Sequence, residues 1–487
     1  MMMDEQNQNL CNEIDRLANL TLKLWDIPGM SLSIVHEGKN LKAAGYGTTI
    51  RDGSDLVDEN TVFQIASITK CFISLAISLL VEEGKFKWDQ PIHEYYPALQ
   101  FKNPIAQRNV TLRDLLSHRS GLPAISHQAW RLWWGRKTNV KEAVERLGIQ
   151  EPGSSFRSHF AYSNMGFVLA SELPKYVLNT PLHQYCQDKI FTPLEMKRTN
   201  MSLDFLKKDK NVALPHKLRK FAKDPIDFNI FYNDASGINS CATDMANWLK
   251  YCLSEAPAIT YTLKPQTVLE PEGIFDPFTL PMWSVFAHEQ KITDYGLGWM
   301  MYTLNNHVVL FHTGMIDGMQ SIVALVPTKK LGISILTNAA IHLGAASFLN
   351  HLLDIFLQVE KKDWLQEGLR VTADYEKNVA QCLKNHEERR KKNTSPSLPL
   401  NHYVGEYVHP AYGSIYIQPD KEELKITIPS QETGPLKHSQ YDEFQITEIA
   451  TTIIFPWLIQ FKLSDDKSQI LGLSMEDLGY FEKNKKA

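Results

Sequence analysis

Strand-patterned segments stand at both ends of a long helical stretch, and that separation limits the possible folds more than any other feature of the chain. SLSIVHEGKNLKAAGYG, from Ser31 to Gly47, reads as two strands around the turn His36-Glu-Gly-Lys-Asn, a β-hairpin. The next strand patterns, YGLGWMMYTL, HVVLFHTG, MQSIVALVP and GISILTNA, come only from Tyr295 onward. Asn305-Asn306 and Pro327-Thr-Lys-Lys supply turns between some of them. Helices and loops fill the region from about 85 to 290. The simplest arrangement is one antiparallel sheet built from both ends, flanked by helices and carrying a helical insertion, an α+β fold. A site would then lie between sheet and helices.

The flanking helices have their own signals. Leu10, Ile14, Leu17 and Leu20 recur at helical spacing before Asp26-Ile-Pro-Gly. A long apolar helix follows TVFQIASITK, runs to about Glu83 and is closed by Gly84. TLRDLLSHRSGLP predicts a helix ended by Gly121 and Pro123, ATDMANWLKYCL another, and His342 to Val359 a closing amphipathic one. Residues 361–392 are heavily charged, and NTSPSLPL (Asn393 to Leu400) reads as a linker. HYVGEYV, GSIYIQP, ELKITIP, EFQITEI, TTIIFPW and QFKLSD then alternate over short spans, predicting a small all-β barrel or sandwich. The expected domains are 1–360, a charged helix and linker at 361–400, and an all-β unit at 401–487.

Composition narrows the function classes. Hydrophobic residues make up 43% of the 487, enough for a sizeable core. A net charge of -4 carries no basic excess, so no nucleic-acid partner is expected. The apolar run from Cys71 to Val81 is shorter than the roughly 20 residues a bilayer span needs, so no membrane span is expected. MMMDEQNQNLCNEIDRL has neither the basic nor the apolar region of a secretory signal, so the expected location is the cytoplasm, reached beyond only by a non-classical route. Six scattered cysteines without a CxxC pair read as reduced, mostly buried thiols. Phosphate-binding loops, dinucleotide glycine motifs and HExxH are absent, and no metal or other cofactor is expected.

Three short elements carry the chemistry. Ser67-Ile-Thr-Lys70 opens a helix, and residues three apart share a helix face, so the Lys70 amine can reach the Ser67 hydroxyl. A serine hydroxyl needs a base to become a nucleophile, and lysine serves when burial lowers its pKa. A helix N-terminus also aims free N–H groups at a developing oxyanion. Tyr162-Ser163-Asn164 offers a phenol to shuttle protons and an amide to hold a substrate carbonyl. His312-Thr313-Gly314 ends a strand, where Gly314 lets substrate backbone approach and His312 and Thr313 can bind polar groups. Taken singly, each has a structural reading: a helix cap, a helix start and a strand-end histidine.

Together, in this order and setting, the chain resembles the penicillin-recognising serine hydrolases, specifically the class C β-lactamase, D-aminopeptidase and carboxylesterase group, peptidase family S12. FQIASITK, LSHRSGLP, EPGSSFRSHFAYSNMGF, YGLGWM, FHTGMIDGMQS and LTNA carry the match over roughly residues 18 to 358. HYVGEY and YGSIYI resemble a lipocalin-like domain appended to some S12 peptidases. The resemblance implies Ser67 as nucleophile, Lys70 as general base and Tyr162 as proton shuttle. It implies that Asn164 positions Lys70 and the substrate amide, with His312, Thr313 and Gly314 at the substrate. The backbone N–H groups of Ser67 and Met315 would form the oxyanion hole. The implied reaction is acyl transfer through a Ser67 ester, then hydrolysis, on a small-molecule or peptide substrate.

The pattern departs at His312, where β-lactamases carry lysine; less positive charge weakens a hold on the penicillin carboxylate. Peptidase or amidase and esterase activities therefore rank ahead of β-lactamase. The alternative is a catalytically quiet assembly or binding protein that keeps the fold. Trp130, Trp133 and Trp134 read as a packed loop or an apolar substrate wall, His118 and Arg119 as residues that fix a loop, and Tyr232 and Asn233 as bordering the pocket by resemblance. Oligomeric state is left open.

Overall fold

In the computed structural model the two distant strand sets meet in one sheet. The structure describes residues 2–123, 145–146, 149–217, 225–228, 237–270, 285–340, 342–428, 433–446, 457–475 and 478–484, with side chains from residue 7 onward. The chain forms two units: Met1–Pro97, Arg108–Gly121 and Ser154–Tyr375 in the first, Ala98–Gln107, Leu122–Gly153 and Glu376–Ala487 in the second.

The first unit begins with helix α1 (Met2–Trp25), strands β1 (Gly29–His36), β2 (Lys39–Gly47) and β3 (Phe63–Gln64), and helices α2 (Thr69–Glu82), α3 (Leu112–Leu116) and α4 (Asn164–Leu178). It continues through β4 (Asn239–Ser240), α5 (Ala242–Cys252), β5 (Thr267–Val268), β6 (Asp294–Tyr295), β7 (Met300–Leu304), β8 (His307–Ile316), β9 (Met319–Val326), β10 (Leu331–Thr337) and α6 (Gly344–Leu357). The sheet order is β2-β1-β10-β9-β8-β7-β6-β5, with every neighbour antiparallel. β1 lies along β10 from Met30 opposite Thr337 to His36 opposite Leu331, so the first hairpin completes a sheet made mostly by later residues. Glu37 and Gly38 both take left-handed backbone (φ 52° and 77°), the two-residue turn whose twist suits a hairpin.

Both faces of this sheet are covered, which is why β9 and β10 are apolar and buried throughout instead of alternating. Ile14, Leu17 and Leu22 of α1 share a core with Leu32, Ile34, Ile333 and Ile335 of the sheet and Leu349 and Leu353 of α6. On α5, the Ala242 carbonyl accepts from Ser33 Oγ at 2.7 Å, fixing that helix to β1. Phe72 of α2 stacks on Trp248 of α5 with ring centroids 4.2 Å apart, and Trp248 stacks on Trp299 at 5.8 Å. α2 is buried on every side from Thr69 to Ser78, as an all-round apolar helix must be.

Two local expectations change. YGLGWMMYTL is not one strand: β6 ends at Tyr295 and β7 starts at Met300. Gly298 sits between them at φ 84°, a left-handed step that breaks the extended chain, and Cys71 Sγ donates to its carbonyl at 3.0 Å. Helix α3 stops at Leu116, well before Gly121, because His118 turns the backbone left-handed at φ 57°.

In the second unit, β11 (Gly405–His409), β12 (Gly413–Asp420), β13 (Glu423–Thr427), β14 (Thr433–Gln440), β15 (Glu443–Ile446), β16 (Trp457–Leu463), β17 (Ile470–Met475) and β18 (Gly479–Lys483) close into an antiparallel barrel. Closure comes from Tyr407 opposite Lys483, so no edge is left open. Its interior holds side chains: Tyr403, Tyr407, Phe444 and Phe461 meet edge-to-face or tilted at 4.9–5.6 Å. Tyr407 donates its hydroxyl to the Tyr403 carbonyl at 2.6 Å. Asp442 accepts from Tyr403 Oη and, at 2.7 Å, from Ser397 Oγ, tying the preceding segment to the barrel. Among the described residues no helix is long and apolar enough to cross a membrane.

Candidate active site

The site is built where the N-terminus of α2 meets the end of β8. Strand β3 pairs with β4, Ile65 N–H donates to Ile238 O at 3.0 Å, and the chain then turns into a short 3-10 segment, Ala66–Ile68. Ala66 makes that turn at φ 50°, a conformation that costs a non-glycine residue about 1–2 kcal/mol. The strain has a visible product. Within residues 61–70, Ser67 is the one residue that is not buried. Neither Ala66 nor its backbone angle carries a sequence signal, since alanine is the strongest helix former.

Lys70, one turn on, is fully buried, with Nζ 2.9 Å from Ser67 Oγ. Burial pushes its pKa down to about 7, because a charged amine loses its hydration there. The neutral amine can accept the Ser67 proton; the ammonium can only donate. The Nζ also lies 5.2 Å from the centroid of the Tyr162 ring and 5.6 Å from that of Phe167. Burial drives the Tyr162 phenol well above its ordinary value, with the Ser67 side chain opposing the rise. Near neutral pH Tyr162 is therefore a proton donor and Lys70 the available base.

Asn164 opens α4, after Ser163, and is half-buried. Among the described residues no hydrogen bond joins its amide to Ser67 or Lys70. Thr313 is half-buried and Met315 is 44% exposed, at the open end of β8. Gly314 touches the serine turn itself. A Cβ there would lie 2.3 Å from Ile65 O and 3.1 Å from Ser67 N. The same Ile65 carbonyl accepts from Ser321 Oγ of β9 at 2.8 Å, so it cannot retreat freely. Gly314→Val is thus expected to displace the Ser67 turn and cut turnover at least about 100-fold, since ~1 Å of misplacement costs that much. Steady-state kinetics at matched folded fraction checks it.

His312, which the resemblance places at the substrate, is buried behind the end of β8. It is 1% exposed. Its Nδ1 lies 2.6 Å from the Thr313 carbonyl, which only accepts, so Nδ1 carries the proton. Nε2 then accepts from Tyr295 Oη at 3.2 Å. Burial, with the Lys70 charge second, lowers its pKa to about 3, so the ring is neutral at physiological pH. The reason is packing: on β8 its side chain turns inward, where Tyr162 and Tyr295 rings lie 6.2 Å away.

Two residues that the sequence did not mark for the site, His118 and Tyr295, line its inner wall. The His118 ring lies 4.4 Å from Tyr162, 4.8 Å from Tyr295 and 5.4 Å from Phe160, centroid to centroid. Trp130, Trp133, Trp134, Tyr232 and Asn233 lie outside the described residues.

The sheet-and-helix frame agrees with the comparisons to known proteins. Residues 17–354 match the beta-lactamase family. The chain belongs to that family. Residues 389–486 match a domain of unknown function, DUF3471, which spans the barrel. This beta-lactamase family member is 26% identical to the unguisins hydrolase ungD' of Aspergillus campestris over 456 residues, 86% of this chain and 80% of that one. It is also 26% identical to protein flp of Staphylococcus aureus (strain MW2), over 67% of this chain and 62% of that one. Among solved structures, an octameric penicillin-binding protein homologue from Pyrococcus abyssi aligns over 97% of this chain and 100% of its own, at TM-score 0.60 and 21% identity. A class C beta lactamase from Rhodobacter sphaeroides aligns over 70% and 99%, at TM-score 0.54 and 21% identity. Both have the same fold as the first unit.

Proposed function

We propose that this family member hydrolyses amides or esters through a covalent Ser67 acyl-enzyme, as a peptidase, amidase or esterase in preference to a β-lactamase. One observation carries the reading: a buried Lys70 amine, neutral above about pH 7, 2.9 Å from Ser67 Oγ. In the first step Lys70 takes the Ser67 proton as Oγ attacks the substrate carbonyl. The oxyanion is received by the backbone N–H groups of Ser67 and Met315, a role supported by the close approach of Gly314, which precedes Met315, to the Ser67 turn. As the acyl–leaving-group bond breaks, Tyr162 protonates the departing amine or alkoxide and is reprotonated from Lys70. Water then attacks the ester by the same route in reverse, releasing the acid and Ser67.

The neutral, inward His312 supports the ranking, because it offers no cation to a penicillin carboxylate. Relatives named as hydrolases support the reaction class. A panel of p-nitrophenyl butyrate, D-alanyl p-nitroanilide and nitrocefin tests both. The expected result is turnover of the ester or the anilide above nitrocefin. Fast nitrocefin turnover with neither of the others would reverse the ranking, and no turnover of any, with no acyl adduct, would favour a quiet binding protein.

A further inference from the structure

We propose that His118 is the positioning residue for Tyr162, gripping the chain on both sides of it and backing its ring. The proposal rests on the hydrolase reading above and assigns that site a residue outside its three motifs. The Ala161 N–H, just before Tyr162, donates to the His118 carbonyl at 2.8 Å. The Ser163 N–H, just after it, donates to His118 Nδ1 at 3.0 Å. Between these two bonds the imidazole lies on the Tyr162 ring at 4.4 Å and 35°. One residue therefore fixes the backbone before and after the phenol and one face of its ring.

The arrangement has costs that helix capping alone does not require. His118 takes φ 57°, a left-handed conformation that few non-glycine residues adopt, although histidine enters it more readily than most. It is 1% exposed, and among the described residues its Nε2, which must carry the proton once Nδ1 accepts, has no hydrogen-bond partner. A left-handed helix stop would be met more simply by glycine or asparagine. Imidazole adds an acceptor at the reach needed for Ser163 N–H and a flat surface for Tyr162. Phe160, Phe167 and Tyr295 pack around the same ring, so it has little freedom to tilt. Burial, with the nearby Lys70 charge second, holds the His118 pKa well below the usual imidazole range, so the ring stays a neutral acceptor.

Three variants separate the ring from the backbone. His118→Gly removes acceptor and ring but relieves the left-handed strain. His118→Ala removes them and keeps the strain. His118→Asn tolerates the backbone angle and keeps a side-chain oxygen to accept from Ser163 N–H. The measurement is the second-order rate of fluorophosphonate labelling at Ser67, with thermal unfolding alongside. His118→Gly is expected to label about 100-fold more slowly than wild type. His118→Asn is expected to recover to within about tenfold, independent of which variant melts higher. Wild-type labelling by His118→Gly, or His118→Asn no faster than His118→Gly, overturns the proposal. A second readout does not depend on the chemistry: 19F resonance of 3-fluorotyrosine placed at 162. A single narrow line in wild type and His118→Asn that broadens or splits in His118→Gly supports positioning, and an unchanged line contradicts it. If wild type never labels at Ser67, the hydrolase reading fails and this spectrum alone decides the role of His118.

Discussion

Lys70→Met is expected to leave Ser67 almost inert, with turnover reduced by about 10⁴-fold or more, while the protein becomes more stable. The rate loss follows because removing one member of a nucleophile–base unit removes nearly all its effect. The stability gain follows from burial. Lys70 is fully enclosed beside Phe167 and Tyr162, where a thioether of similar length needs no hydration. Its pKa falls from 10.5 in the free side chain to about 7 in the fold. Between those values the unfolded chain binds a proton that the folded protein does not, so wild-type stability rises with pH across that window. Below about pH 7 both states are protonated and the cost of burying the charge is complete. The melting advantage of Lys70→Met should therefore be largest at or below pH 7 and shrink toward pH 10. Wild-type turnover should climb through about pH 7 as the base form fills. Kinetics and thermal melts over pH 6–10 check both; a variant with a tenth or more of wild-type turnover would contradict the assignment of the base.

Asp114→Ala should be the most damaging change to stability near the site, at about 3 kcal/mol. Asp114 is fully buried and serves two loops at once. Its carboxylate accepts from Thr111 N–H at 3.0 Å, completing a capping box on α3. It also accepts from Arg119 Nε at 2.7 Å and from Arg157 at 2.8 and 2.9 Å. Losing its half of the capping box costs about 1 kcal/mol. Leaving two guanidinium groups together without their carboxylate costs about 2 kcal/mol more, reduced from the fully buried case because Arg157 is 44% exposed. Asp114→Asn keeps the capping oxygen and should lose less. Chemical denaturation of both variants provides the check, and a loss below about 0.5 kcal/mol for Asp114→Ala would contradict the account. Since Arg119 follows His118 and Arg157 precedes Phe160, the same change should also loosen the wall behind Tyr162.

The sheet was legible because burial on both faces leaves a plain mark: β9 and β10 are apolar without alternation, and β1 and β2 surround a turn that only small or polar residues make well. The barrel was legible from its turn spacing, and the order of the three motifs pointed to Ser67, Lys70 and Tyr162. Packing around the site was not legible. That His312 is enclosed depends on what packs on its face of β8, Tyr162 and Tyr295, and tertiary packing alone brings those residues there. The left-handed steps at Ala66, His118 and Gly298 were hidden for a related reason. Each follows from a neighbour's needs: exposing Ser67, holding Tyr162, and letting β7 pass the Lys70 backbone. Only Gly298 belongs to a residue type that advertises such a step.

The central claim is that Ser67 is acylated because Lys70 takes its proton. Mass-spectrometric mapping of the protein after reaction with a fluorophosphonate or penicillin probe tests it most directly. The account predicts one adduct, on Ser67, formed faster as pH rises through about 7 and absent from Ser67→Ala. An adduct on any other residue that persists in Ser67→Ala, with none on Ser67, would contradict it.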